Sequence, residues 1–287
     1  MTAVAPPATP TLGVVDGMDA DDYHAHPALS STGARKLLPP SCPAKFRWEQ
    51  IHGQPAKRTF EFGRAAHQFI LGEGAEIAVL KYDSYRSKAA QEEAEEARAV
   101  GATPLLEREW QQVEAMAEAI RHDPLAGPLF TPGRGVAERA LFWTDGPTGV
   151  ERRALLDWTL HRDTGQRLVI TDYKTTTDAS KAGVEKAITA YGYHQQAAWY
   201  IDGAIATGIG GEDTVMVFAF QEKTPPYLVT VAEIAPDDVR RGRERNRRAI
   251  NTYARCVETG HWPGHAEGVI TASQPTWAQV RHDEEYA

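Results

Sequence analysis

The chain has 287 residues, of which 42% are hydrophobic and 24% charged, and a formal net charge of −8. That length accommodates one large domain or two small ones, and no apolar run approaches the roughly 18 residues of a membrane span, so no membrane-embedded helix is expected. The negative total sets the field against phosphate, so any nucleic-acid contact has to come from local clusters of Lys and Arg.

In chain order, residues 1–20 read as a flexible tail. Met1 to Gly13 is rich in Ala, Pro and Thr, with neither a basic start nor an apolar stretch before a cleavage site, so a signal peptide is not expected. Ser30, Ser31 and Thr32 can cap a short helix from Gly33 to Leu38 that Pro39-Pro40 ends. Phe62, Ala66, Phe69 and Ile70 recur at helical spacing, predicting a helix from about Phe60 to Leu71 that carries His67. Ser87–Val100 and Leu105–Ile120 are built of strong helix formers and predict a helical hairpin. Strand formers then dominate Val136–Thr144, Val150–His161, Leu168–Lys174, Thr214–Gln221 and Tyr227–Ile234. A helical stretch from Ser180 to Ala206, broken near Gly192, interrupts the strands, and a helix from Asp237 to Thr259 follows them. His261 to Ala287 shows no period and reads as an irregular packed extension. Cys42 and Cys256 lie far apart in no CxxC spacing, which argues against zinc, an iron–sulfur cluster or a disulfide framework.

Asp157 ends the apolar run Ala154-Leu155-Leu156, and Asp172 and Lys174 follow the run Leu168-Val169-Ile170. A two-residue turn at Thr164-Gly165 pairs Asp163 with Gln166, and stepping back along both strands sets Asp157 opposite Asp172, with Cβ atoms roughly 5 Å apart. Lys174, two residues on, lies on the same face as Asp172. Like charges this close raise each other's pKa unless a hard cation joins them, and oxygen ligands suit Mg²⁺, with Mn²⁺ as a substitute. A salt-bridged surface hairpin would produce the same spacing.

These residues resemble the signature of the PD-(D/E)xK nuclease superfamily. Leu29 to Leu38, Ser41-Cys-Pro-Ala, Phe62-Gly-Arg-Ala-Ala-His67 and Tyr191 to Tyr200 narrow the likeness to the nuclease domain of exodeoxyribonuclease VIII (RecE-type) and its phage relatives, from about Asp22 to Trp277. The resemblance implies an α+β (α/β) fold with a restriction-endonuclease-like αβββαβ core: a central mixed sheet flanked by helices, with an added N-terminal helical region. The domain spans 21–277, helical over about 21–130 and catalytic over about 131–260, with 278–287 as a C-terminal tail. It further implies that His67, Asp157 and Asp172 bind metal, with the backbone of Tyr173 as a further ligand. Lys174 is by this likeness the catalytic lysine, and Gln196 and Tyr200 form the QxxxY pair near substrate. Leu156 stands where the superfamily pattern has proline, and the middle acid is Asp172 rather than glutamate.

The expected activity is a 5′-to-3′ exonuclease on linear double-stranded DNA that leaves a 3′ overhang for recombination and repair. A ring-shaped homo-oligomer, a single-strand annealing recombinase as partner and a cytoplasmic location in a bacterium or phage-infected host go with it. Arg86 and Lys88, with Arg240, Arg241 and Arg243 in the basic stretch up to Arg248, are candidate phosphate contacts; solvated helix faces account for the same residues. Glu138 and Glu151 are further acids on the first two strands. The rival readings are a RecB-type or Cas4-like nuclease without an iron–sulfur cluster, and a catalytically silent DNA-end-binding or recombinase-docking module.

Overall fold

The computed structural model describes residues 12–53, 59–72 and 76–287. The chain opens with β1 (Gly13–Val15), α1 (Ala20–Ala25), β2 (Leu29–Ser30), α2 (Ser31–Lys36), α3 (Pro43–His52) and α4 (Thr59–Leu71). Then come β3 (Ile77–Leu80), α5 (Lys88–Ala99), β4 (Thr103–Leu106), α6 (Glu107–His122) and α7 (Ala126–Leu129). The C-terminal half holds β5 (Gly135–Thr144), β6 (Glu151–Leu160), β7 (Val169–Thr176), α8 (Lys181–Tyr191), α9 (Tyr193–Ala206), β8 (Val215–Glu222), β9 (Val229–Glu233), α10 (Pro236–Thr259) and α11 (Thr276–Tyr286).

Seven strands form one mixed sheet in the order β1-β5-β6-β7-β8-β9, with β2 set against β6. Only β2–β6 and β7–β8 are parallel, and the β7–β8 pair is bridged by α8 and α9 because a parallel connection needs a crossover element. The order helix, β5-β6-β7, helix, β8 is the αβββαβ core.

Helices cover both faces. On one, Trp199, Ala197, Ala249 and Ile250 of α9 and α10 pack against Leu141, Leu156, Ile170, Phe218 and Phe220. On the other, Ala65, Ala66, Met116 and Ile120 of α4 and α6 pack against Trp158, Tyr173 and Ala219. The close approach of α10 to α9 requires glycine, since a Cβ at Gly242 would collide with the backbone carbonyl of His194. Polar groups lock the same seam: Asn246 Nδ2 donates to the Gln195 carbonyl at 3.0 Å.

Side chains should alternate between faces along a strand, and β5 and β6 break that rule at one place. Leu141 and Leu156 pack with the α9 layer, whereas Ala137 and Trp158, an even number of residues away on the same strands, pack with the α4 layer. The ladder pairs Ala137 with Trp158 and Arg139 with Leu156 but omits Glu138 and Asp157 between them. Glu138 has φ +47°, the left-handed region that non-glycine residues rarely adopt. The face switch therefore falls on two acidic residues facing each other.

Several expectations need correction. The helical hairpin is not continuous: Thr103–Leu106 forms β4, parallel to β3, between α5 and α6. Its four residues are all buried, and a short, wholly buried strand has no alternation to distinguish it from a helix start. The N-terminal tail is structured from Gly13, where three residues pair with β5 and Asp16 meets Arg139 at 2.6 Å; residues 1–11 of it lie outside the described residues. The irregular extension and C-terminal tail contain α11, which buries none of its residues and so leaves no amphipathic period to read. The turn at Thr164-Gly165 forms, with Gln166 N–H donating to the Asp163 carbonyl at 3.1 Å, but the β6–β7 ladder does not run into it.

Candidate active site

The register of β6 against β7 is the expected one: Trp158 faces Thr171 and Thr159 faces Ile170, which carries Asp157 opposite Asp172. The ladder stops short of that last pair. Instead of backbone pairing, the Tyr173 N–H donates to Asp157 Oδ2 at 3.2 Å. A side-chain acceptor thus replaces the missing carbonyl and holds the carboxylate in the gap between the strands.

Each layer of helices adds a group. From α4, His67 Nε2 lies 2.8 Å from Asp157 Oδ2, and His67 Nδ1 lies 3.7 Å from Glu138 Oε1. From α9, Gln196 Nε2 donates to Asp172 Oδ1 at 2.5 Å. Lys174 Nζ ion-pairs with Asp172 Oδ2 and stands 5.5 Å from the Tyr193 ring centroid. The break between α8 and α9 positions these α9 residues: Gly192, at φ +68°, ends one helix and starts the next. Beneath the site, Tyr173 Oη donates to Gln221 Oε1 at 2.7 Å, and Gln221 Nε2 donates to the Met116 carbonyl at 2.8 Å, anchoring β7 to α6.

The charges are strongly coupled. Burial pushes the Asp172 carboxyl up, with the charge of Asp157 adding to it, to about 6, although Lys174 and His67 pull the other way. Burial also acts to raise Asp157, but His67, Lys174 and the Tyr173 N–H outweigh it and hold that carboxyl below its usual range. Burial works to lower Lys174, yet Asp172 and Asp157 keep it raised, so the ammonium stays protonated. Two carboxylates in adjoining environments thus differ in proton affinity. The Tyr200 hydroxyl is driven well above its ordinary value, chiefly by burial and then by the charges of Tyr23, Asp172 and Asp157.

Burial opposes protonation of His67, but Asp157 and then Glu138 hold its pKa above the ordinary 6.5. A raised histidine pKa stabilises the fold fully below about 6.5 and loses that contribution as pH rises through the folded value. Asp157, held low, adds stability that is lost only as pH falls through its own folded value. In EDTA, His67→Gln is therefore expected to melt below wild type at about pH 6 and to converge with it at alkaline pH. Thermal melts across that range check this, and a gap that widens with pH contradicts the assignment.

The other sequence candidates fare differently. Arg240 pairs with Glu244 at 2.5 Å, Arg241 with Asp238 at 2.7 Å and Arg243 with Asp202 at 2.8 Å, so these cations are already engaged by acids of the same chain. Lys88 pairs with Glu92 at 3.2 Å on α5, and Arg86 lies in the turn before that helix. Glu151 opens β6, about 20 Å along the strand from Asp157, and takes no part in the cluster. Glu138 does take part. Arg35, within the Leu29 to Leu38 stretch, lies on α2 with its Nη1 buried, a placement that a lone arginine on a short helix does not signal in the sequence.

The sequence profile of the PDDEXK-like domain of unknown function (DUF3799) matches residues 31–274, from the first residue of α2 to just before α11. The chain belongs to this PDDEXK-like family. No curated protein matches the chain. Among solved structures, the PDDEXK-like chain is similar to a "putative exonuclease" from Eubacterium rectale, with a TM-score of 0.58 and 10% identity over 91% of this chain and 95% of that one. At that identity the likeness is one of fold.

PDDEXK nucleases generally use divalent metal ions. Among the described residues, no group of three or more His, Cys, Asp or Glu side chains stands ready to hold one. The donor set nevertheless fits a hard cation: Asp157 and Asp172 meet across the strand gap, and their present partners, His67 and Lys174, supply the positive charge that such an ion would share.

Proposed function

We propose that this PDDEXK-like chain is a magnesium-dependent exodeoxyribonuclease, RecE-type in character, that degrades one strand of linear double-stranded DNA 5′ to 3′ and leaves a 3′ overhang for homologous recombination. The observation that carries the reading is the convergence of Asp157, Asp172, Lys174, His67 and Gln196 from four elements, β6, β7, α4 and α9, on one gap between β6 and β7. The E. rectale protein's description as a "putative exonuclease" supports the exonuclease reading.

Asp157, Asp172 and the Tyr173 carbonyl would hold Mg²⁺, or Mn²⁺ in its place, with His67 alongside. Bound there, the ion would neutralise charge on the phosphoryl group and make water a better nucleophile. The chain's own side chains do the rest. Gln196 fixes the Asp172 carboxylate by donating to one oxygen, leaving the other to Lys174. Lys174, protonated between two carboxylates, donates to the attacking water or to a phosphoryl oxygen. Gln196 and Tyr200, one turn apart on α9, bring the QxxxY pair to the same acid.

A ring-shaped homo-oligomer would let basic groups from several copies line one channel around the duplex. A single-strand annealing recombinase would receive the exposed 3′ strand, in the cytoplasm of a bacterium or phage-infected host. Among the described residues no helix is long and apolar enough to cross a membrane. Cys42 and Cys256 are both free and buried, which disfavours the cluster of a Cas4-like enzyme.

The test is incubation of end-labelled linear and closed circular duplex with Mg²⁺ or with EDTA. Loss of the linear DNA alone, only with Mg²⁺ and from the 5′ ends, is expected. Cut circles identify an endonuclease. DNA left whole in every tube favours the silent end-binding or docking module, a reading supported by the internal pairing of both carboxylates with His67 and Lys174.

A further inference from the structure

The inward-facing arginines of this molecule are mostly spent on the fold. Arg152 lies 4.7 Å and 4.0 Å from the ring centroids of Trp143 and Trp199, beside Asp145, with its unpartnered Nε and Nη2 accounted for by those rings, and Arg153, unpartnered at Nε alone, donates to the carbonyls of Tyr23 and His24. Arg247 grips Asp145 through two hydrogen bonds of 2.7 Å and 2.8 Å. Arg35 is different. Its Nη2 donates to Thr32 Oγ1 at 3.0 Å on its own helix, while Nη1 is buried with no hydrogen-bond partner, and among the described residues it closes no ion pair.

Its surroundings are those of the acid cluster. The Arg35 guanidinium is acted on by Tyr200 and Tyr193 of α9 and by Asp172 of β7. A deliberate opening lets it get there. The stem of Arg35 passes the break between α8 and α9, where a Cβ on Gly192 would sit 2.9 Å from Arg35 Cδ, and where φ +68° already disfavours any other residue. A glycine at 192 thus serves the helix break and the passage of the arginine together.

A buried donor without an acceptor is costly; the unpartnered donors of Arg152 lie beside indole rings, whereas Arg35 Nη1 borders the acid cluster, where an acceptor can arrive with a ligand. The ligand chemistry is set by charge. A phosphodiester approaching Asp157, Asp172 and Glu138 meets repulsion that Lys174 and His67 only partly offset, and a planar guanidinium with an unspent donor suits a phosphoryl oxygen. We propose that Arg35 is the phosphate-binding arginine of the site, donating from Nη1 to a non-bridging oxygen of the phosphodiester engaged at Asp157, Asp172 and Lys174. This rests on the nuclease reading and adds to it a further cation, delivered by α2 rather than by the sheet.

Wild type, Arg35→Ala and Arg35→Lys are compared by thermal melting, by single-turnover cleavage of linear duplex in Mg²⁺ and by duplex binding in Ca²⁺ over a range of salt. Arg35→Ala is expected to slow cleavage by about 10²- to 10³-fold, as loss of one charge-stabilising donor does. It is also expected to flatten the slope of log affinity against log salt by about 0.9, the signature of one lost phosphate contact. Arg35→Lys keeps the charge and the slope but cleaves at least about tenfold more slowly, because the fork is gone; should the alanine variant fail to fold, these two readings alone decide. Wild-type cleavage by Arg35→Ala or Arg35→Lys, or slowed cleavage with an unchanged slope in Arg35→Ala, overturns the assignment of Arg35 while leaving the nuclease reading intact. Absence of Mg²⁺-dependent cleavage by wild type overturns the nuclease reading itself.

Discussion

Asp172→Asn is expected to abolish Mg²⁺-dependent cleavage of linear duplex, by at least about 10³-fold, without lowering the melting temperature in EDTA at neutral pH. The two halves have one cause. Asp172 is fully buried, and its carboxyl is raised to about 6 by burial first and by Asp157 second. A carboxyl whose folded pKa exceeds its unfolded value binds more protons in the folded state, so its contribution falls as pH rises from about 4 to about 6. Above that window the charged form costs on the order of 3 kcal/mol, with the pull of Lys174 already included. Asparagine keeps the shape and the Gln196 contact and removes the charge. The variant should therefore melt at or above wild type near pH 7.5, and the two should converge below about pH 4. Added Mg²⁺ should raise the wild-type melt and leave the variant where it was, because only a state that binds the ion is stabilised by it. Scanning fluorimetry with and without Mg²⁺, beside the cleavage assay, reads all of this. An Asp172→Asn protein that melts well below wild type at neutral pH would mean that the carboxylate is a structural partner, and the functional case would lose its main support.

Trp199→Ala carries the largest expected loss of stability, about 3–5 kcal/mol. Trp199 is 0% exposed, its ring meets Trp143 edge-on at 5.9 Å between centroids, and its Nε1 donates to the Arg153 carbonyl at 2.9 Å. Deleting it opens a cavity between sheet and α9, orphans that carbonyl and uncovers one side of the Arg152 guanidinium. Trp199→Phe should cost less, since it fills most of the volume and loses the hydrogen bond. Urea unfolding measures both. Because α9 also carries Gln196, Tyr193 and Tyr200, the alanine variant should lose cleavage even at temperatures where it stays folded. A loss below about 1 kcal/mol would show that the α9 seam repacks freely.

The sheet and its helices were legible because their signals are local and repeated. Five runs of strand formers gave β5 to β9 nearly to the residue, and Ser30, Ser87 and Ser180 each cap the helix that follows. The pairing of Asp157 with Asp172 was legible from one turn, even though the ladder between β6 and β7 is shorter than expected. What escaped were features created by tertiary contact. β4 is recognisable only beside β3, and the N-terminal strand only beside β5. The face switch at Glu138 and Asp157 leaves no mark in an alternation pattern that both layers keep apolar, and the α10 arginines look free until Asp202, Asp238 and Glu244 appear next to them.

Glu138 at φ +47° has one further consequence. A non-glycine residue held there costs about 1–2 kcal/mol of conformational energy, which glycine would escape. A chain optimised for robustness alone would place glycine at that bend, as this one does at most of its other left-handed positions. Keeping a carboxylate on the bend leaves the domain less thermostable than its backbone permits, so variants recovered by selection for heat tolerance should accumulate there first, at the expense of whatever the acid does beside His67.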